Sequence, residues 1–230
     1  DAVNAIDDAL TLATLPAGKR VAAGEMAATV KVIPFAAPRE ALLAAVAAAA
    51  GALSVAAFLP LSVGVVSTLL PGLKPSVVEK TLRAIEGRLA PTGARVARET
   101  RVAHATGEIA RAVRETAAAC DVTVVFGASA IVDGRDAVPE AIRRAGGRIV
   151  HFGAPVDPGN LLLLAEVAGK PVIGAPGCAR SPRENAFDWA LDRALVGDPM
   201  SARDVRKLGV GGLLTEIGAR GLARTKADAP

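Results

Sequence analysis

The stretch PVDPGNLLLLAEVAGKPVIGAPGCARS, residues 155–181, decides how the rest of the chain is arranged. Its pattern is typical of a loop, a strand, a turn at Gly169-Lys170-Pro171, a second strand and another loop, with apolar runs at residues 161–165 and 172–173. Both flanking loops combine proline, which fixes φ, with glycine, which lets backbone N–H groups approach a ligand closely. An open α/β sheet binds ligands in such loops, and these two suit an anion. Ordinary connections of the same composition are equally common, so this stretch alone leaves the choice open.

Apolar strands and amphipathic helices alternate on both sides of this stretch. The predicted strands are 63–67, 94–97, Val122–Phe126 and Arg148–Phe152, and the predicted helices are 76–89, 106–120, 136–145 and 182–195. The run VTVVF at Val122–Phe126 is typical of a parallel strand buried on both faces. Strands separated by helices of about ten to fifteen residues predict βαβ units. The predicted fold is therefore α/β, a three-layer sandwich with a mostly parallel sheet, in which Ser76 caps the first helix.

The sequence also predicts how the chain is divided. The expected parts are a remnant of an N-terminal region at 1–37, a main domain at 38–200 and a C-terminal extension at 201–230. The N-terminal part is expected to contain one or two strands within residues 21–35 and a short helical turn within 4–12. An alanine-rich helix at 41–50 is expected to be a lid or linker of the main domain. Residues 218–230 are polar and basic, which predicts partial disorder.

The composition permits one large core and excludes several classes of function. The 230 residues are 51% apolar, yet the aromatic side chains are five Phe and one Trp, so the core must be mainly aliphatic. Scarce aromatic residues also argue against a platform for nucleic-acid bases. With 27 basic and 23 acidic residues the net charge is +4, which suits a small anionic ligand and demands no nucleic acid.

The cysteine and hydropathy patterns indicate a cytoplasmic protein. Cys120 and Cys178 match no CxxC or zinc spacing, so we expect free thiols, a reducing compartment and no structural metal. The charge-free run 41–73 is weakly apolar and interrupted by glycine and proline, which predicts no membrane span. A signal peptide is not expected either, because no basic segment followed by an apolar one stands at the start.

A loop of small and polar residues, GASAIVDGRD at 127–136, follows the most apolar predicted strand. Small residues after a parallel strand leave backbone N–H groups open to a ligand, and Ser129 adds a hydroxyl. Asp136 stands where it can cap the next helix, whereas Asp133 has no evident structural role. The loop therefore adds a second set of candidate binding groups.

Three segments in combination resemble a known family. The loop 127–136, the sequence GGRIVHFGAPVDPGNLLL at 146–163 and PVIGAPGCARS at 171–181 are similar to the molybdopterin-binding domain of molybdenum cofactor synthesis proteins. That family includes bacterial molybdopterin molybdotransferases and adenylyltransferases and eukaryotic gephyrin. The segments look closer still to a bacterial subgroup described simply as molybdopterin-binding proteins. In that subgroup the domain follows a region ending in a TLATLP…KVIPF stretch, which stands here at 11–16 and 31–35, so the resemblance covers nearly the whole chain.

The resemblance implies a pterin site built from the loops that follow the strands. It assigns cofactor contacts to Ser67, Thr68, Gly127, Ala128, Ser129, Asp133, Asp136, Asp157, Pro158, Gly159, Asn160, Pro176, Gly177, Cys178, Arg180 and Ser181. Backbone N–H groups and cations would hold the terminal phosphate, and carboxylates or amides the N–H edge of the pterin. We expect the loops to face one cleft, because each follows the carboxyl end of a parallel strand. Arg180 precedes the predicted helix 182–195, so we expect it to contribute more to phosphate binding than Lys74.

Two further side chains, Cys178 and His104, allow a functional and a structural interpretation, whereas His151 favours a structural role. Cys178 is soft enough to meet molybdenum or a dithiolene, although an unpaired cysteine near a strand end is more often inert packing. His104 could titrate near neutral pH or bind a metal, but a histidine before a helix more often does neither. His151, inside an apolar strand, is expected to be a packed side chain.

The chain departs from the family where catalysis would be expected. Catalytic members carry a Thr-Gly-Asp-Glu-like turn after the first strand, whereas Ser67-Thr68 is followed here by Leu69-Leu70-Pro71-Gly72. Binding of molybdopterin or molybdenum cofactor, for its synthesis, insertion or delivery, is therefore favoured. One alternative is a nucleotide-dependent molybdopterin transferase that uses ATP and Mg²⁺, with Asp133 or Asp136 as candidate catalytic groups. A second alternative, a dinucleotide-binding oxidoreductase, lacks its GxGxxG motif after the first strand.

We predict that the chain forms a homo-oligomer, a dimer or a trimer, beside any contact with a molybdoenzyme or another cofactor-synthesis protein. The uncharged run 52–73 is more apolar surface than the sheet edge of a monomer should expose. Light scattering over micromolar concentrations measures the mass in solution. A monomer mass at every concentration would contradict this prediction.

Overall fold

The computed structural model describes residues 1–214 and divides the chain into two compact units. The first unit is Asp1–Ala57 and the second begins at Phe58, so the division lies later than the boundary after residue 37 expected from the sequence. The predicted disorder of residues 218–230 lies outside the described residues. In the described part, none of the helices has the length and apolar character needed to cross a membrane.

The first unit is a two-stranded sheet with one helix. After a 3₁₀ turn at Val3–Ala5, strand β1 (Leu10–Thr14) pairs antiparallel with strand β2 (Ala28–Val32), and helix α1 (Arg39–Ala49) follows. A small core is formed by Val3, Leu10 and Ala45. Helix α1 thus contributes its buried alanine to the first unit, whereas the sequence analysis placed this helix with the main domain.

The second unit is a three-layer α/β sandwich, which confirms the predicted fold class. Its elements are strand β3 (Ser62–Leu69), helix α2 (Pro75–Leu89), strand β4 (Arg95–Ala103), helix α3 (Thr106–Ala119), strand β5 (Val122–Phe126), helix α4 (Ala137–Arg144), strands β6 (Arg148–Phe152), β7 (Leu163–Val167) and β8 (Lys170–Ala175), and helices α5 (Ala186–Leu195) and α6 (Ala202–Arg206). The strand order is β4-β3-β5-β8-β7-β6. Apolar side chains of α2 and α5 cover one face of the sheet, and those of α3 and α4 cover the other. The apolar side chains of these four helices therefore face the sheet.

In the six-stranded sheet of the described residues, strand β7 runs opposite to the other five strands. Strands β3, β4, β5 and β8 are parallel, but β7 is antiparallel to both β6 and β8. The cause is the connection from β7 to β8, which consists of Ala168 and Gly169 at φ 52° and 76°. A two-residue turn joins antiparallel strands only. Because Leu163 at the start of β7 pairs with Gly174 near the end of β8, the loop before β7 still opens at the same edge as the loop after β8.

Strand β4 and helix α2 differ in extent from their predictions. Strand β4 continues past Ala97 to Ala103. The prediction was too short because β4 is an edge strand with charged, exposed residues along it, and these hide its apolar pattern in the sequence. Helix α2 begins at Pro75, so Ser76 lies inside it and is not its cap. Proline suits the first helical position because its φ is already helical and its missing N–H would have no partner there.

Helix α5 begins at Ala186, later than the predicted start at residue 182. The reason is a capping box, in which the side chain of Asn185 accepts from the backbone of the first turn and the side chain of Asp188 accepts from the N–H of Asn185. Arg180 therefore ends a separate 3₁₀ turn, Gly177–Arg180, and does not stand at the start of a long helix.

Helix α3 lies directly against strand β3 at Gly64. A Cβ atom at this position would be 2.1 Å from Cγ2 of Thr116 and 3.0 Å from Sγ of Cys120. Glycine is therefore required here by the close approach of the helix, although no turn is involved.

We expect Gly64→Ala to lower the free energy of unfolding by about 1–3 kcal/mol, the usual cost of overpacking. Gly87→Ala is the matched control, since Gly87 lies within α2 and, apart from its chain neighbours and the backbone of its own helix, nothing lies within 4 Å of its missing Cβ. Alanine at position 87 should raise stability by about 0.5–1 kcal/mol, because glycine loses more backbone entropy in a helix. Urea unfolding measures both values, and equal effects would contradict the close packing of α3 on β3.

Candidate functional site

The residues assigned to the site by resemblance all lie at one edge of the sheet. This carboxyl edge is formed by the last residues of β3, β4, β5, β6 and β8 and the first residue of β7. The parallel strands deliver the loops after β3, β5 and β8 to it, and the connection from β6 to β7 delivers residues 157–160. Their common location follows from the topology, and their role in ligand binding stays a prediction.

Thr68, near the end of β3, connects two other strand ends. Its hydroxyl oxygen accepts a hydrogen bond from the Ala128 N–H at 2.6 Å and lies 2.7 Å from Nδ1 of His104. The residue is 1% exposed, and its neighbour Ser67 is 3% exposed. The hydroxyl of Thr68 therefore fixes the residues that follow β4 and β5 and does not point into solvent.

Arg180 holds the loop after β8 against the loop after β5. Its guanidinium donates to Oγ1 of Thr81 at 2.8 Å and to the carbonyl of Gly127 at 2.9 Å, and it lies 5.3 Å from the ring centroid of Phe126. Within residues 1–214 no carboxylate lies within ion-pair distance of this guanidinium, and burial lowers the pKa of Arg180. In the described part of the chain its charge therefore contacts a carbonyl, a hydroxyl and an aromatic face but has no carboxylate partner.

A second arginine, Arg88 of helix α2, stabilises the same region and was missed by the sequence analysis. It forms an ion pair with Asp188 at 2.7 Å, donates to the carbonyl of Ser181 at 2.7 Å and lies 5.6 Å from the ring centroid of Phe187. Its side chain is 8% exposed. Asp188 is 100 residues away along the chain, so no local pattern indicates the pair.

Two carboxylates close the loop after β5. Asp136 stands at the cap position of α4, but its carboxylate accepts from the N–H groups of Val132 at 2.6 Å and Asp133 at 2.9 Å. It makes no hydrogen bond to the first turn of α4, so the expectation that its side chain caps this helix is wrong. Asp133 accepts from the backbone N–H of Arg135 at 2.8 Å, and this bond holds the pKa of the exposed carboxyl below its usual value. Both groups thus shape the loop while remaining at the surface.

The loop 157–160 packs on the start of helix α5. Gly159 has a φ of 128°, and a Cβ atom there would lie 2.5 Å from Cβ of Ala186. The Ala186 N–H donates to the carbonyl of Pro158 at 3.2 Å. The conformational freedom of Gly159 therefore serves the contact with the helix, while Asn160 beside it is exposed.

Cys178 is half-buried in the 3₁₀ turn after β8. Burial raises the pKa of its thiol, and the charges of Asp157 and Asp188 raise it further. The thiol therefore stays protonated at neutral pH, which weakens it as a nucleophile or metal ligand.

A small cavity of about 60 Å³ opens at the carboxyl edge. Its polar lining comes from His104, Ser129 and Asp136, and its apolar lining includes Ile131 and Val138. The sequence indicated no role for His104, because only the tertiary structure brings the end of β4 beside the loop after β5.

A larger groove of about 380 Å³ lies elsewhere, between α5, the residues around Met200 and strands β6 to β8. It is mainly apolar, and none of the residues assigned by resemblance lines it. In the described part of the chain, no three His, Cys, Asp or Glu side chains are grouped so that they could hold a metal ion.

A family model described as a probable molybdopterin binding domain matches residues 62–195, more than half of the chain. The chain therefore belongs to the molybdopterin-binding domain family of molybdenum cofactor biosynthesis. No curated protein matches it.

The solved structures that are similar to part of the chain include the following three. The molybdopterin biosynthesis MoeA protein of Pyrococcus horikosii shares 23% identity over 60% of this chain and 35% of its own, with a TM-score of 0.45. The CinA protein of unknown function from Thermoplasma acidophilum shares 20% sequence identity. The match covers 50% of this chain and 88% of the CinA chain, with a TM-score of 0.42. The molybdopterin biosynthesis enzyme MoaB of Thermus thermophilus shares 18% sequence identity. The match covers 60% of this chain and 98% of the MoaB chain, with a TM-score of 0.42. The match spans about a third of the length of the Pyrococcus protein.

We expect Arg180→Ala to lower the free energy of unfolding by about 1.5–3 kcal/mol, the range for hydrogen bonds made by a charged group. The change removes the bonds to Thr81 and to the carbonyl of Gly127. Arg183→Ala, three residues further in an exposed position, is the control and should stay within about 0.5 kcal/mol. Denaturant unfolding compares them. A loss as small as that of Arg183→Ala would show that Arg180 does not hold the two loops together.

Proposed function

We propose that the chain binds molybdopterin or the molybdenum cofactor at the carboxyl edge of its sheet, for the synthesis, insertion or delivery of the cofactor in the bacterial cytoplasm. The observation that supports this proposal is a positive charge at the site that no carboxylate of the described residues balances. Arg180 is a partly buried cation without a carboxylate partner in the described part of the chain, and it lies beside the loop after β5. Burial of an unpaired charge is costly, and a phosphate group would supply the missing anion.

The remaining polar groups suit the pterin ring. Asp136 uses Oδ2 for the two N–H bonds of its loop, which leaves Oδ1 for the N–H edge of a pterin. Ser129 and Asn160 are partly or fully exposed at the same edge and can donate or accept. A site with one uncompensated cation and several carboxylate or amide acceptors matches a pterin that ends in a phosphate.

Binding is better supported than catalysis. Strand β3 is followed by Leu70, Pro71 and Gly72, which are exposed and carry no acidic group for Mg²⁺. Asp133 and Asp136, the candidate catalytic groups of a transferase that uses ATP, already accept backbone N–H bonds that hold their loop. A nucleotide-dependent transferase is the second candidate, because these two carboxylates stand three residues apart in one loop and carboxylate oxygens are ligands that Mg²⁺ prefers.

We predict that the purified chain binds molybdenum-free molybdopterin under anaerobic conditions, measured by fluorescence quenching. Arg180→Ala should weaken binding by about 1.5–3 kcal/mol, the range for a hydrogen bond to a charged group. Lys74→Ala should cost less than about 1 kcal/mol, since the exposed Lys74 acts through its charge alone.

The same protein with ATP, Mg²⁺ and molybdopterin tests the transferase. Molybdopterin-dependent release of diphosphate or formation of an adenylylated pterin would favour catalysis. Failure to bind molybdopterin at all would overturn the proposed function, and equal losses at Arg180 and Lys74 would move the phosphate to the loop after β3.

A further inference from the structure

His104 is fixed at the end of β4 by two groups of strand β3. Its backbone N–H donates to the carbonyl of Leu69 at 2.8 Å, and its Nδ1 lies 2.7 Å from Oγ1 of Thr68. Its other ring nitrogen, Nε2, makes no hydrogen bond within residues 1–214. One side of the imidazole is therefore tied to the protein, and the other is left for a further contact.

The hydrogen bonds of Thr68 select the tautomer of His104. The hydroxyl oxygen accepts from the Ala128 N–H at 2.6 Å, so its own hydrogen needs an acceptor. Within the described residues, Nδ1 of His104 is the acceptor in reach of this hydroxyl. Thr68 is 1% exposed, and the hydroxyl of a buried residue donates wherever an acceptor is available, because an unsatisfied buried donor costs free energy. The imidazole then carries its hydrogen on Nε2 and presents an N–H donor.

The cavity at the carboxyl edge gives this donor a partner in the ligand. His104 and Asp136 both line it, so the residues that carry the donor and the acceptor border the same space. The cavity is small, about 60 Å³, which suits the edge of a ring. A donor beside an acceptor is complementary to a heterocycle edge on which a carbonyl or ring nitrogen adjoins an N–H group.

We propose that His104 contacts the bound pterin by donating from Nε2 to an acceptor atom on the edge of the ring, and that Thr68 positions it by fixing the tautomer. This inference rests on the proposed function. It assigns to His104 a contact with the pterin ring, whereas Arg180 is assigned to the phosphate. Thr68 acts through His104 and needs no contact of its own with the ligand.

Substitutions at the two histidines of the chain test the contact. His104→Phe keeps a planar ring and removes the donor, and it should weaken binding of molybdenum-free molybdopterin roughly three- to tenfold, the worth of one neutral hydrogen bond. His104→Gln keeps an amide donor near the position of Nε2 and should retain most of the affinity. His151→Phe is the control, because His151 lies half-buried in β6 away from the cavity, and it should bind as the unmodified chain does.

Long-range ¹H–¹⁵N NMR tests the positioning role separately. His104→Phe assigns the two imidazoles, after which the unmodified chain should show the Nε2–H tautomer at His104. Thr68→Val should abolish that preference, because valine has no hydroxyl to donate to Nδ1.

The outcomes separate the two proposals. If the unmodified chain binds and His104→Phe binds equally well, or if His104 carries its hydrogen on Nδ1, the inference fails and the proposed function stands. An equal loss at His151→Phe would also overturn the inference. If the unmodified chain does not bind molybdopterin, the proposed function fails and the inference fails with it.

Discussion

The pairing of strand β5 is the constraint on which the second unit depends. All five residues of Val122–Phe126 are buried, with helices over both faces, so the backbone N–H and C=O groups of this strand must pair inside the sheet. Strand β3 supplies partners on one side and β8 on the other, both parallel. Water reaches the strand only at its ends, and this directs the polar loops, and any ligand they hold, to the carboxyl edge.

The two arginines near this edge differ in whether a carboxylate balances their charge. Arg88 is paired with Asp188, so its charge is balanced inside the protein. Arg180 is held by a hydroxyl, a carbonyl and an aromatic ring, which fix its position but do not balance its charge. A cation that is both fixed and unbalanced attracts an anion at low entropic cost, because little side-chain freedom is lost on binding.

The chain belongs to the molybdopterin-binding domain family, and its own residues decide what the proposed site at the carboxyl edge can do. The loop after β3 carries Leu70 and Pro71 in exposed positions, where an acidic turn would serve catalysis. The threonine at the end of the same strand faces inward and holds His104. The end of β3 thus contributes to the site through a hydrogen bond to a neighbouring strand end, and not through a metal-binding carboxylate of its own.

The sequence by itself determined the fold class and the edge at which the candidate site lies. Runs of apolar residues and helical periodicity located β5, β6, α3 and α4 almost to the residue. This succeeded because the spacing of apolar residues within one segment is enough to indicate a helix or a buried strand. Only the tertiary structure decided the direction of β7, which depends on a turn with Ala168 in a left-handed conformation that alanine rarely adopts. It also decided the bond from Arg180 to Thr81 and the tie between Thr68 and His104, whose partners lie 99 and 36 residues apart along the chain. Such contacts follow from strand order and register, and no periodicity within a single segment encodes which distant residues those two features bring together.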